Sequence, residues 1–301
     1  MAWYLRRTSR AMFVMALAIG TLACSKGDDP SSAEAAHGEP PKATKGTASS
    51  SPATDGHGKP AAKGAHAGAP SHWEYTGPTG QRYWSELDQS NLKCVDGSAQ
   101  SPINIAHATL TPLAKITYDY NLAPVKVRNN GHTIQVDYLP ASGYDGGKIT
   151  LENKVYKLRH LNFHRPSEHT INGRQFPMEV QLVHQADDQS LAVVGVLMDI
   201  GLHNGAFDAI WAAMPQKPDT AEVADKPFSA NSLLPRSLST LRYQGSLTTP
   251  PCFEGVLWLL MKTPITIAQT QVQQFRKLFE FNSRYTQPLN GRDVYEDTSE
   301  P

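Results

Sequence analysis

Residues 155–163 read Val-Tyr-Lys-Leu-Arg-His-Leu-Asn-Phe, and residues 179–184 read Glu-Val-Gln-Leu-Val-His. Both are short runs of β-branched, aromatic and alternating apolar residues, the pattern of a strand rather than of a helical stripe. Similar runs occupy 125–127, 133–138, 148–151, 191–198 and 257–262, and Pro- and Gly-rich turns such as 140–147 separate them. Helical spacing is clearest over 268–279, where Val272, Phe275 and Phe279 share a face, and a shorter candidate covers 206–214. Many strands and few helices predict a mainly β domain over 72–297, long enough to bury a large core, with no internal repeat.

Outside those limits the composition changes. Residues 25–71 are mostly Ala, Gly, Pro, Ser, Thr and Lys, with His37, His57 and His66 and no aromatic, Ile, Leu, Val or Met. Such a stretch buries too little apolar surface to offset chain entropy, so it reads as a disordered tether spanning roughly 40 Å. Residues 1–24 carry Arg6, Arg7 and Arg10 ahead of a short apolar run, the pattern of a secretory signal. The run ends in Thr21-Leu22-Ala23-Cys24-Ser25, which resembles a bacterial lipoprotein signal with Cys24 as the lipidated residue. The expectation is an exported lipoprotein on the outer membrane, facing the periplasm or the cell surface; cleavage to a soluble periplasmic protein is the alternative. Residues 298–301 are a tail.

Lys plus Arg equals Asp plus Glu at 28 each, and the balance argues against a nucleic-acid partner. No apolar run reaches the roughly 18 residues of a spanning helix. If Cys24 is lipidated, Cys94 and Cys252 remain, and an oxidising compartment would pair them. Two free buried thiols are the alternative.

Several motifs in order resemble the alpha-class carbonic anhydrases. They are His72-Trp73-x-Tyr75, Gln100-Ser101-Pro102-Ile103-Asn104-Ile105, Asn129-Asn130-Gly131-His132 and Pro166-Ser167-Glu168-His169-Thr170. Phe176-Pro177-Met178-Glu179, Gly245-Ser246-Leu247-Thr248-Thr249-Pro250-Pro251 and Gln287-Pro288-Leu289-Asn290-Gly291-Arg292 follow. The resemblance implies a large, twisted, mostly antiparallel central sheet and a conical cavity leading to zinc. It implies His132 at the proton-shuttle position, and Thr248 and Glu168 as a pair in which the Glu accepts from the Thr hydroxyl. Val183, Val193, Leu247 and Trp258 would form the wall that receives CO₂, Tyr75 and Asn130 would be polar cavity positions, and His169 would bond Glu179 behind the metal. The pairing of Cys94 with Cys252 also resembles bacterial members.

The family's chemistry needs three imidazoles on zinc and one open position, because zinc then lowers the pKa of bound water from 15.7 to about 7. The resemblance places two of those imidazoles at 162 and 164 and the third at 181. His164 is present; Asn162 and Gln181 stand at the other two positions. His160 shares the strand face but lies about 13 Å along the strand from His164. His184 falls on the opposite face from Gln181. Zinc is therefore not expected as a cofactor. The amides are expected to replace it, Gln181 donating to Glu179 and Asn162 bridging His164 and Gln181.

Three functions compete on this reading. The first is a binding domain without zinc-dependent CO₂ hydration, taking CO₂, bicarbonate, another anion or an unidentified protein partner, and held to the membrane through Cys24. The second is a CO₂ hydratase with an altered metal site or low activity. The third is a structural envelope protein.

Overall fold

The computed structural model describes residues 72–139 and 146–297. The signal at 1–24, Cys24, the tether at 25–71, the tail at 298–301 and most of the 140–147 turn lie outside the described residues.

Among the described residues the chain builds a thirteen-stranded mixed sheet. Its centre consists of β1 (Val125–Asn129), β2 (Ile134–Tyr138), β3 (Lys154–His164), β4 (Met178–Gln185), β5 (Leu191–Ile200), β6 (Thr240–Ser246) and β7 (Glu254–Met261). They lie in the order β1-β2-β3-β4-β5-β7-β6, antiparallel except at β5/β7. Parallel contacts recur where Ile265–Ile267 joins β5 and where Tyr295–Asp297 joins Thr109–Thr111.

The strands at 125, 134, 148, 154, 178, 191 and 254 fall on runs legible in the sequence. β6 does not. Its Thr-Leu-Arg-Tyr-Gln-Gly-Ser reads as polar, yet nearly all of it is buried. Its polarity is satisfied inside: Arg242 donates to Thr240 Oγ1, to the Ala114 carbonyl and to Asp297. The expected helices are shorter than their patterns, α1 at Asp208–Ala212 after a 3₁₀ turn and α2 at Gln269–Arg276.

The sheet separates the core from the cavity. Met178, Val180 and Leu182 of β4 and Leu161 and Phe163 of β3 face the main core, where Phe163 meets Phe207, Trp211 and Phe275 at ring distances of 5.1–6.4 Å. Glu179, Gln181 and Val183 point the other way, as strand alternation requires. The register then slips: Val183 faces His160, but His184 faces Leu158, leaving Arg159 as an extra residue on β3. This bulge puts Arg159 and His160 side by side at the cavity rim and returns Leu158 to the core, while His184 lies on the core face by the alternation of its own strand.

His184 is fully buried, and its Nε2 meets the Tyr120 hydroxyl at 2.9 Å. Burial pushes its pKa down to about 3. The unfolded imidazole titrates near 6.5, so between these values the unfolded chain binds the extra proton. The contribution of His184 is fully present above about pH 6.5 and is lost as pH falls toward 3, by roughly 1.4 kcal/mol per pH unit. Urea unfolding between pH 7 and pH 4 should therefore show stability falling with pH, and His184→Gln should flatten that slope. An unchanged slope in the variant would assign the pH dependence to other groups.

Candidate functional site

Asn162 and Gln181 are direct cross-strand partners, and Gln135 faces Asn162 from the other side. The three amides form one rung across β2, β3 and β4. His164 is the next same-face residue on β3, opposite Glu179. Together these residues floor a cavity of about 490 Å³. Val183, Val193, Leu247 and Trp258 form its apolar wall, and Tyr75, Asn130, His132 and Thr248 also line it. Of the residues expected at the cavity, all line it except Glu168, which is buried behind Gln181.

Glu179 anchors the site from behind. Its Oε2 accepts from the backbone N–H groups of Glu168 and His169, at 3.0 and 2.9 Å. Its Oε1 pairs with His169 Nδ1 at 2.9 Å and accepts from Gln181 Nε2 at 3.1 Å. The far side of the His169 ring meets the Tyr243 hydroxyl at 2.7 Å. Burial by itself would raise the pKa of Glu179, but the ring and backbone N–H of His169, together with His164, hold it below the ordinary carboxylate value.

Gln181 donates a second bond, to Glu168 Oε2 at 2.7 Å, while Glu168 Oε1 accepts from the Arg284 backbone at 2.8 Å. The Thr248–Glu168 hydrogen bond that the resemblance implies is not formed among the described residues. The carboxylate that would take the Thr hydroxyl takes the Gln181 amide instead. The expected donation from Gln181 to Glu179 is present, whereas the expected bridge by Asn162 is not. Asn162 Oδ1 and His164 Nε2 are both buried without a protein partner. With its nitrogen committed to two carboxylates, Gln181 has no donor left for Asn162 Oδ1.

His164 is held from its other side. Its Nδ1 lies 2.8 Å from the Asn282 carbonyl. A carbonyl only accepts, so Nδ1 carries the hydrogen, and in the neutral ring Nε2 presents a lone pair. His132 stacks on Trp73, with ring centroids 3.7 Å apart and planes 6° from parallel. Burial lowers its pKa, an effect that Glu74 partly opposes. Cys94 and Cys252 form a disulfide behind the wall that carries Thr248.

Sequence reasoning missed Asn282, Arg284, the Arg159 bulge and the Trp73 stack. Asn282-Ser283-Arg284 is polar in sequence yet buried, so composition carried no signal for it.

The model of the eukaryotic-type carbonic anhydrase family matches residues 79–298. The chain belongs to the alpha-class carbonic anhydrase family. A carbonic anhydrase of Neisseria gonorrhoeae is 41% identical over 227 residues, covering 75% of this chain and 88% of that protein. The alpha-carbonic anhydrase from Thermovibrio ammonificans, solved with the inhibitor sulfanilamide, superposes with a TM-score of 0.72 at 36% identity, covering 75% of this chain and 100% of that one. Dioscorin complexed with ascorbate superposes at 0.70 with 29% identity, covering 76% of this chain and 100% of that one.

Against this family's zinc, the residues present do not fit. Zinc favours imidazole and thiolate, and three protein ligands make its catalytic site. Here the floor offers one imidazole nitrogen and neutral amide oxygens.

Proposed function

We infer that this carbonic anhydrase relative is a ligand-binding domain without zinc-dependent CO₂ hydration. The observation that carries the reading is the Gln181 amide, which occupies a metal-ligand position and donates to both Glu168 and Glu179. That arrangement fills the third corner with a hydrogen-bonded side chain and engages the carboxylate expected to orient Thr248. Second-shell losses alone weaken metal sites roughly 10–100-fold, so loss of two imidazoles weighs more. The apolar wall and the open cavity favour continued small-molecule binding.

The retained His132, Thr248 and CO₂ wall support a second reading, a carbonic anhydrase with an altered metal site or low activity. Metal analysis and oxygen-isotope exchange from labelled CO₂, with and without added zinc, decide between them. The first reading expects well below one zinc per chain and exchange at the uncatalysed rate. Stoichiometric zinc, with exchange abolished by a sulfonamide, would refute it.

The placement we propose is export with lipid anchoring at Cys24, so that the tether carries the domain clear of a membrane. The Cys94–Cys252 disulfide supports an oxidising compartment.

A further inference from the structure

The floor of the cavity carries hydrogen-bond acceptors on His164, Asn162 and Gln181, with the Asn162 amide nitrogen as a donor among them. His164 Nε2 presents a lone pair, because Nδ1 is committed to the Asn282 carbonyl. Asn162 Oδ1 is buried and unpartnered beside it. Gln181 turns its nitrogen to Glu168 and Glu179, which leaves Oε1 as its second polar atom on the cavity-lining side chain. Donation to two carboxylates polarises the amide and strengthens that oxygen as an acceptor. Asn162 faces Gln181 across the β3/β4 pair and His164 follows on the same face, so the acceptors belong to one small patch.

We propose that this patch receives a primary ammonium head group, the ligand being a short alkylammonium whose carbon chain lies on Val183, Val193, Leu247 and Trp258. The proposal rests on the reading that no zinc occupies the floor. A metal ion there would present positive charge to anions, whereas three of the polar atoms on this floor present lone pairs to N–H donors. An ammonium carries three such donors on one atom. The buried carboxylates of Glu168 and Glu179 lie directly behind Gln181 and favour its charge over that of an anion, with buried Arg284 offsetting part of the Glu168 charge. Arg159, the cationic side chain on the bulge, is exposed and sits at the rim.

Calorimetric titration of the purified full-length chain with n-butylammonium chloride at neutral pH tests this. Saturable binding is expected, tightening about fourfold per methylene from methyl- to butylammonium. Butyltrimethylammonium keeps the charge and lacks N–H, and should bind at least about tenfold more weakly. Sodium butyrate and sulfanilamide should not compete. Asn162→Leu should weaken butylammonium by about tenfold, and Asn162→Asp, which keeps the acceptor and adds charge, should tighten it. Thermal melts establish that each variant is folded.

Equal binding of both ammonium probes, preference for butyrate or sulfanilamide, absence of amine binding, or weakening in Asn162→Asp would each overturn the proposal. Metal analysis of the same sample separates the two failures. Stoichiometric zinc would sink the functional reading, whereas a zinc-free chain that ignores amines would sink the ammonium site alone.

Discussion

Replacing Asn162 and Gln181 together by histidine should bring the chain from little bound zinc to about one equivalent. CO₂ hydration should then rise by at least about a thousandfold, the scale made possible when bound water acidifies from 15.7 toward 7. The surroundings are already arranged for these residues. His164 has its Nδ1 fixed by the Asn282 carbonyl, as a metal-binding imidazole requires of its second nitrogen. Glu179 Oε1 already accepts from the side chain at 181, so a histidine there finds an acceptor for its own N–H. Removing the Gln181 amide also frees Glu168 Oε2, the oxygen it now occupies at 2.7 Å, for the Thr248 hydroxyl. Each single variant should recover far less than half of the logarithmic gain, because two imidazoles and an amide still leave one weak corner. Metal content and isotope exchange on the wild type, both singles and the double check this. A double variant without zinc would mean that the corner geometry has moved. One with zinc but no turnover would place a second lesion in the cavity wall.

The fold was legible where side chains alternate against a one-sided core. β3 and β4 could be read because Leu161 and Phe163, and Val180 and Leu182, mark one face while Asn162 and Gln181 mark the other. β6 was not legible, because Arg242, Tyr243 and Ser246 are buried by internal hydrogen bonds rather than by hydrophobicity. The floor residues could be named from motif positions, but their hydrogen-bond directions could not. Gln181 has one donor end and one acceptor end, and which end faces the cavity depends on two carboxylates, one of them thirteen positions away in sequence. The same limit applies to Asn162, whose Oδ1 is buried without a partner instead of bridging to Gln181. The Arg159 bulge was hidden because a strand pattern fixes which residues alternate, and one inserted residue reverses that phase without an obvious mark in composition.

Removing the disulfide in Cys94→Ala/Cys252→Ala should destabilise the domain by up to about 5 kcal/mol, since the bond joins residues 158 positions apart and restricts a long loop in the unfolded chain. For a domain of this size that corresponds to a melting temperature lower by about 10–20 °C. The native side adds to the expectation. Cys252 is fully buried with Tyr75 and Trp84, and its carbonyl accepts from Gln100 Nε2 at 3.0 Å. The Cys94 carbonyl accepts from Arg284 Nη2 at 2.8 Å, and the Arg284 backbone holds Glu168. The bond therefore ties the N-terminal segment to both the Thr248 wall and the rear of the cavity. The floor depends instead on the β3/β4 register, which spans 157–164 and 179–185. Loss of the disulfide should thus lower the melting temperature sharply while leaving butylammonium affinity within about threefold at temperatures where the variant stays folded. Calorimetric melts of wild type and variant, with and without reductant, measure the first effect, and reductant should shift the wild type alone. A shift below about 2 °C would mean that the unfolded chain already keeps these segments together.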